Sequence, residues 1–465
     1  MSKKVVIVGA GPAGWAAAYS LQGKADVTLI DAGKNVAGRV EDHKIDNGSS
    51  PYGMGGAGTF SDGKFIFETL IGKRATGSNL YELIGKDKEK EYFKRSREMF
   101  EHYFGSSIEI PNNTIMSRAR EIDHIAAKND MDYLFALQHH IGTDKLPGLM
   151  QKIEDELKTN GVDIVTEERI LDFDSQKVYS NNNEYDFDYL LLAPGRGGSM
   201  WLENILNEKK IDYGMRTIDI GVRVETDAHV LEHLTLGGNG EDDKMYGRDV
   251  KLSFRRPNGD LIRTFCVCPN GQVTRLHEKD EDRFNLVNGA SDSGYLSPNT
   301  NFALLISMPL KENGKSNEYG ERIAQLYHNF GLNDLTLQRL GDLKAERRSR
   351  EDRIHEWRIN PTLEDVNIGD ITGAMPYRIM RGLLEGIERL SAPGLMEGLN
   401  QDSTLLYAPE IKFHGINIKT DQYLQTTMPN VYVAGDGSGT SRGIGGAAAS
   451  GLVAGEGILK QIYDK

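Results

Sequence analysis

Two glycine turns, one near each end of the chain, hold the residue types and spacing that can do chemistry. Gly9-Ala10-Gly11-Pro12-Ala13-Gly14 directly follows the β-branched run Val5-Val6-Ile7-Val8. Gly435-Asp436-Gly437 directly follows Val431-Tyr432-Val433-Ala434. In the first turn, Gly9 permits a tight bend, Gly11 lets the backbone approach a pyrophosphate, and Gly14 lets the next helix lie close to its strand. Residues 15–21 are good helix formers. A helix N-terminus here offers unpaired N–H groups and partial positive charge to phosphate. A second strand, Val27-Thr28-Leu29-Ile30, ends at Asp31. That is about 20 residues on, where a carboxylate accepts hydrogen bonds from ribose hydroxyls. An acid at this place disfavours a 2′-phosphate, and so NADP. The strand–turn–helix–strand context is what a dinucleotide fingerprint requires.

The fingerprint alone does not separate FAD from NAD; the second turn does. Asp436 stands at a strand end, where it can accept a hydrogen bond from a ribityl chain. Gly445, Gly446 and Ala447 then open a small-residue helix. Its N-terminus would face the N1–C2=O2 edge of an isoalloxazine, where reduced flavin gathers negative charge. NAD has neither ribityl chain nor isoalloxazine. The expected cofactor is therefore non-covalently bound FAD, gripped by both ends of the sequence. Arg39 can reach back toward the phosphates from a turn at residues 34–39. Gly56 lies in the glycine-rich segment 53–64, read as a loop lining the flavin or substrate pocket. Ala193 and Gly195 end a strand in a glycine turn that closes over the cofactor from the opposite side. Ile170, on a hairpin at residues 168–180, completes the expected cofactor-binding set.

Catalytic candidates are Asp62 and Lys64, which can place charge near the pocket, and Cys268, which can serve as a nucleophile or be a buried inert thiol. Arg442 can bind an anionic substrate or cap its loop. The two cysteines, Cys266 and Cys268, are one residue apart and cannot form a Cys-x-x-Cys pair. His139-His140 are read on a helix, where neighbours point in different directions, so no metal site is expected. No second Gly-x-Gly-x-x-Gly in a β-α-β context is present, which leaves NAD(P)H as an undetermined transient electron donor.

These residues need elements to hold them. The chain has 465 residues and 52 glycines, against about 33 at typical usage of about 7%. The excess sits in loops, where backbone must approach a ligand. The length exceeds what one compact core uses. The expected architecture is α/β: a Rossmann-like FAD-binding domain over residues 1–210 and 401–465, with an inserted, mainly antiparallel β (α+β) substrate domain over residues 211–400. Strand-like runs at 218–224, 261–267 and 302–308 support the insert, with helices at 319–328 and 377–390. Residues 86–104 read as an amphipathic helix stopped by Gly105. Residues 410–413 and 416–419 read as the return to the dinucleotide domain.

Here the sequence resembles the largely uncharacterised FAD-dependent dehydrogenases of the two-dinucleotide-binding-domain flavoprotein superfamily. The matching pieces are residues 55–64, His140-Ile141-Gly142-Thr143-Asp144, Thr264-Phe265-Cys266-Val267-Cys268-Pro269-Asn270-Gly271, Leu286-Val287-Asn288-Gly289 and the C-terminal Gly-Asp segment. The resemblance implies a FAD domain, an inserted substrate domain and oxidoreductase activity, and no particular substrate. Leu405-Leu406-Tyr407-Ala408-Pro409-Glu410 departs from the Glu, Arg, Thr, Ser-type stretch expected in relatives.

The reading that follows is a FAD-dependent oxidoreductase moving a hydride between flavin N5 and a small or medium substrate. A flavin-dependent non-redox group transferase or lyase, a FAD-bound sensor and a single-turn NAD dehydrogenase are the alternatives. The net charge of −13 argues against nucleic-acid or anionic-membrane partners. A homo-oligomer is compatible with the sequence. No apolar run reaches the length of a membrane span, and the sparse cysteines fit a reducing cytoplasm.

Overall fold

The run Val5-Val6-Ile7-Val8 is apolar at every position because both of its faces are covered. In the computed structural model, Lys4–Val8 is the middle strand of a five-stranded parallel sheet. The order is Val431–Val433, Tyr189–Leu192, Lys4–Val8, Asp26–Ile30, Asp163–Val165. Val5, Ile7, Val27, Leu29 and Leu191 enter one apolar layer, while Val6, Val8, Ile30, Leu190 and Leu192 enter the other. This is the burial a parallel strand needs. Described residues are 2–46, 52–61, 63–72, 80–108, 111–141, 145–214, 218–234, 250–277, 285–290, 296–308, 316–330, 335–413, 416–441 and 443–464.

The first helix, Pro12–Leu21, and the last, Gly443–Tyr463, pack on the same side of this sheet. Their contact is backbone-close. A Cβ on Gly451 would lie 2.0 Å from the Ala13 carbonyl oxygen, and one on Gly455 would lie 2.0 Å from Ser20 Oγ.

A nine-stranded sheet forms the second layer system. Its order is Asn367–Ile368, Thr336–Arg339, Leu405–Lys412, Ile218–Asp227, Asn299–Met308, Leu261–Cys268, Lys251–Arg255, Asp132–His140, Lys64–Ile71. All pairings are antiparallel except the first, which is parallel. Alternate residues of the inner strand Ile218–Asp227, namely Ile218, Ile220, Val222 and Val224, face a core shared with helices Asn113–Lys128, Ser316–Phe330 and Tyr377–Leu390. The residues between them put Asp219, Arg223 and Glu225 on the opposite, polar face, as a period of two requires. The fold is therefore a Rossmann-like α/β sheet joined to a large, mainly antiparallel β unit.

Three local expectations change. His139 and His140 lie on the strand Asp132–His140, not on a helix. Residues 34–39 are not a turn: a helix runs Val36–Asp46, started by the Asn35 side chain accepting from Gly38 N at 2.9 Å, with Glu154 accepting from Val36 N at 3.1 Å. Leu405–Lys412 is not a return to the parallel sheet; it pairs between Thr336–Arg339 and Ile218–Asp227. The large sheet also recruits Lys64–Ile71 and Asp132–His140 from far upstream. Among the described residues no helix is long and apolar enough to cross a membrane.

Candidate functional site

Three turns meet at the carboxyl ends of the parallel strands. Gly9, at φ +101°, lies so near the next strand that a Cβ would sit 2.2 Å from Ala193 O. A Cβ on Gly14 would sit 1.8 Å from Gly9 O. Gly437 approaches Gly195 O to 2.1 Å in the same sense, and Gly435, at φ +84°, approaches the Ala13 side chain to 3.0 Å. The amino- and carboxyl-terminal turns thus touch one another. Gly11 caps the first helix in an extended conformation with no side-chain bond, so its first N–H groups point outward for an acceptor.

The second turn is held by its own hydroxyls. Ser438 and Thr440 each donate to Gly435 O at 3.0 Å, and Gly435 N donates to Ser450 Oγ at 2.9 Å. The Asp436 carboxylate meets Arg196 Nε at 3.0 Å. Ser441 Oγ, fully buried, has no hydrogen-bond partner among the described residues. The turn at 435–441 thus carries an orphaned buried hydroxyl and a carboxylate beside two close glycine approaches, a set that fits the polar groups of an extended dinucleotide. Gly445, in the first turn of the last helix, lies so close to the large sheet that a Cβ would sit 2.2 Å from Ile66 O. Gly446 and Ala447 continue that buried first turn.

The glycine loop closes over the first turn. Gly55 N donates to Ala10 O at 2.9 Å, and a Cβ on Gly56, at φ +57°, would lie 2.9 Å from Gly11 Cα. Asp31 ties the two together. Its Oδ2 accepts from Ala10 N at 2.7 Å, and its Oδ1 accepts from Gly33 N at 2.9 Å and Gly53 N at 2.6 Å. The carboxylate expected at a ribose is thus also a strut of the loop. Arg39 differs more from expectation. Its buried Nη1 donates to Met54 O at 2.6 Å, Gly56 O at 3.0 Å and Thr59 Oγ1 at 2.8 Å. It secures the loop that touches Gly11. Burial pulls its pKa down to about 10 against the pull of Asp31.

Ile170 lies in the apolar layer with Val8, Ile30 and Leu192. Lys64 Nζ donates to Val267 O at 3.2 Å, which ties the start of the edge strand Lys64–Ile71 to the strand Leu261–Cys268. Asp62 and Arg442 lie outside the described residues. Cys268 is buried beside Arg223, whose Nη2 is 3.2 Å from its Sγ. Cys266 is half-buried at φ +48°, in the bulge between Phe265 and Cys268. Burial alone would weaken the Arg223 charge, but Glu410 and the two cysteines outweigh it and raise its pKa. Sequence reasoning missed Arg223, Glu410 and Asn301. The available signal was a charged residue inside an apolar strand, which marks a polar face. Among the described residues no cluster of three or more His, Cys, Asp or Glu side chains is placed to hold a metal ion.

Residues 3–227 match the family model described as pyridine nucleotide-disulphide oxidoreductase, and residues 217–412 match that of the FAD-dependent protein, C-terminal domain-like. The chain is an FAD-dependent oxidoreductase. This flavoprotein is 23% identical to an uncharacterized protein of Clostridium beijerinckii (strain ATCC 51743 / NCIMB 8052), over 98% of its own length and 80% of the relative's. It is similar to the structure of a flavoprotein/dehydrogenase from Cytophaga hutchinsonii, with 10% identity, coverage of 100% and 80%, and a TM-score of 0.38. Glycine oxidase from Geobacillus kaustophilus gives 10% identity, coverage of 99% and 95%, and a TM-score of 0.35. Likenesses this distant carry no argument about substrate. The first family match contains no cysteine, since Cys266 and Cys268 fall beyond residue 227. The matched region of the flavoprotein therefore holds no cysteine pair.

Proposed function

We propose that this flavoprotein is a dehydrogenase or reductase that moves a hydride between N5 of FAD and a small or medium organic substrate. The observation that supports it best is the contact of the two terminal turns, with Gly435 packed on Ala13. FAD, when bound, supplies the hydride chemistry. The chain supplies the rest. The N–H groups at Gly11, Ala13 and Gly14, beneath the Gly56 loop, would hold the pyrophosphate. Gly9, Pro12, Ala193 and Gly195 shape that crevice, and Asp31 sets the loop's distance from it. Asp436, now paired with Arg196, would accept from the ribityl chain. The helix N-terminus at Gly445, Gly446 and Ala447 would favour negative charge on the flavin ring. Lys64 stands between this edge and the polar face of the large sheet, where the substrate is placed. In this reading the dinucleotide unit is built from residues 1–210 and 401–465 around an insert of 211–400, with the strand Leu405–Lys412 given over to the insert's sheet.

The test starts from the purified protein. Its absorbance spectrum should show flavin bands, and denaturation should release FAD into solution. Anaerobic addition of candidate donors, including NADH and NADPH, should bleach the bands and support repeated dye reduction. Flavin that is required for turnover but never bleaches would overturn the redox reading. A colourless protein with no releasable flavin would overturn the assignment of these turns to FAD.

A further inference from the structure

The polar face of the nine-stranded sheet holds a fully buried cation with unusual partners. Arg223 donates from Nε to Asn301 Oδ1 at 2.8 Å, from Nη1 to Glu410 Oε1 at 3.4 Å, and from Nη2 to Cys266 O at 2.9 Å and Cys268 Sγ at 3.2 Å. Glu410 is also fully buried, and its Oε1 takes Lys412 Nζ at 3.0 Å. Glu410 Oε2 has no hydrogen-bond partner among the described residues. A carboxylate paired with two cations is an acceptor only. The open oxygen can therefore be satisfied only by a donor, and burying it unmet is costly.

The surroundings define what brings that donor. Phe265 is half-buried, with the Arg263 guanidinium 5.0 Å and the Lys412 ammonium 5.8 Å from its ring centroid. Arg263 and Lys412 keep 19% and 14% of their side-chain exposure, so this end of the face is partly open. The Arg223 end is closed by Gly289, where a Cβ would lie 1.8 Å from Nη2. Nearest Glu410, the cations Arg223, Arg263 and Lys412 stand against Asp219, Glu225 and Glu410 itself. The unmet Oε2 is itself negative, so it repels a carboxylate set against it and takes a neutral donor. Val267, between the two cysteines, carries the carbonyl that Lys64 reaches, and Lys64 opens the strand whose Ile66 abuts Gly445. The face thus borders the edge where the flavin ring is placed.

We infer that Glu410 Oε2 is a substrate anchor that accepts a hydrogen bond from the hydroxyl of an uncharged, aromatic-bearing compound lying against Phe265. This rests on the reading that substrate binds under the large sheet beside the flavin. The holoprotein is titrated with benzyl alcohol and, separately, with benzoate, reading the thermal melting shift and the flavin difference spectrum. The same is done for Glu410→Gln and Glu410→Asp; the second keeps the charge that Arg223 and Lys412 need and serves if the first does not fold. The expected result is that benzyl alcohol binds more tightly than benzoate, and that either substitution weakens it at least tenfold with FAD content unchanged. Tighter binding of benzoate, or variants that bind benzyl alcohol as the natural protein does, would overturn the inference. So would no binding of either compound, which would mean that Oε2 holds a buried water only. Failure of the flavin reading shows separately, as protein that releases no FAD, while the melting shift still reports on Glu410.

Discussion

Asp436 and Arg39 show how differently two charged residues serve one crevice. Asp436 has a half-exposed partner, Arg196, whose side chain keeps 58% exposure. Such a pair contributes about 0–1 kcal/mol. Asp436→Ala should leave the urea midpoint of the flavin-free protein nearly unchanged, while FAD retention, read by equilibrium dialysis, falls about tenfold or more, which is about 1.4 kcal/mol. Arg39 is the reverse case. Removing it takes the charged donor from Met54 O and Gly56 O, which keep only Thr59 Oγ1 at 3.1 Å and Thr59 N at 3.2 Å, and each hydrogen bond to a charged group is worth about 1.5–3 kcal/mol. Arg39→Met should lower the urea midpoint of the flavin-free protein and expose the 52–61 segment to limited proteolysis. An unchanged midpoint would show that Arg39 is not the strut described.

At the scale of elements, two helices from opposite ends of the chain cross at Gly451 and Gly455. Gly451→Val inserts a branched side chain where Ala13 O lies 2.0 Å from a single Cβ. Overpacking of this kind costs about 1–3 kcal/mol. The substitution should lower stability and, by prying Gly435 from Ala13, weaken FAD retention. Retained affinity at reduced stability would separate helix packing from cofactor grip. What the sequence made legible follows the same scale. The glycine turns, the Tyr377–Leu390 helix and the strands Ile218–Asp227 and Leu261–Cys268 are written in local spacing. The helix Val36–Asp46 was hidden because its start depends on one cap, Asn35, and on Glu154 from far along the chain. The pairing of Asp132–His140 with Lys251–Arg255 has no local signal, since period two names a face and not a neighbour. Arg223 and Glu410 meet across 187 residues, so their cluster became visible only once the strands were aligned.

The molecule as a whole carries buried carboxylates that set its acid tolerance. Burial alone would raise Asp260 and Asp342. Arg378 and Asn258 outweigh it at Asp260, and Arg339, Ser349 and Arg347 outweigh it at Asp342, so both are held below the ordinary 3.8. A depressed folded value means that the unfolded chain binds protons first. Their contribution is present above about pH 4 and is lost as pH falls through the lower folded values. Urea midpoints should therefore drop between pH 5 and pH 3. Asp342→Asn should lower the midpoint at pH 5 and flatten that drop; an equally steep fall in the variant would assign acid sensitivity elsewhere.

The edge strand Val431–Val433 and the glycine-faced helix behind it have a consequence for biosynthesis. A ribosome-tethered chain ending before residue 430 already owns its phosphate turn, yet lacks the other jaw. On the proposed function, such a chain should not retain FAD until residues 435–455 have folded onto Ala13, and nicking or fusion there should yield pale preparations.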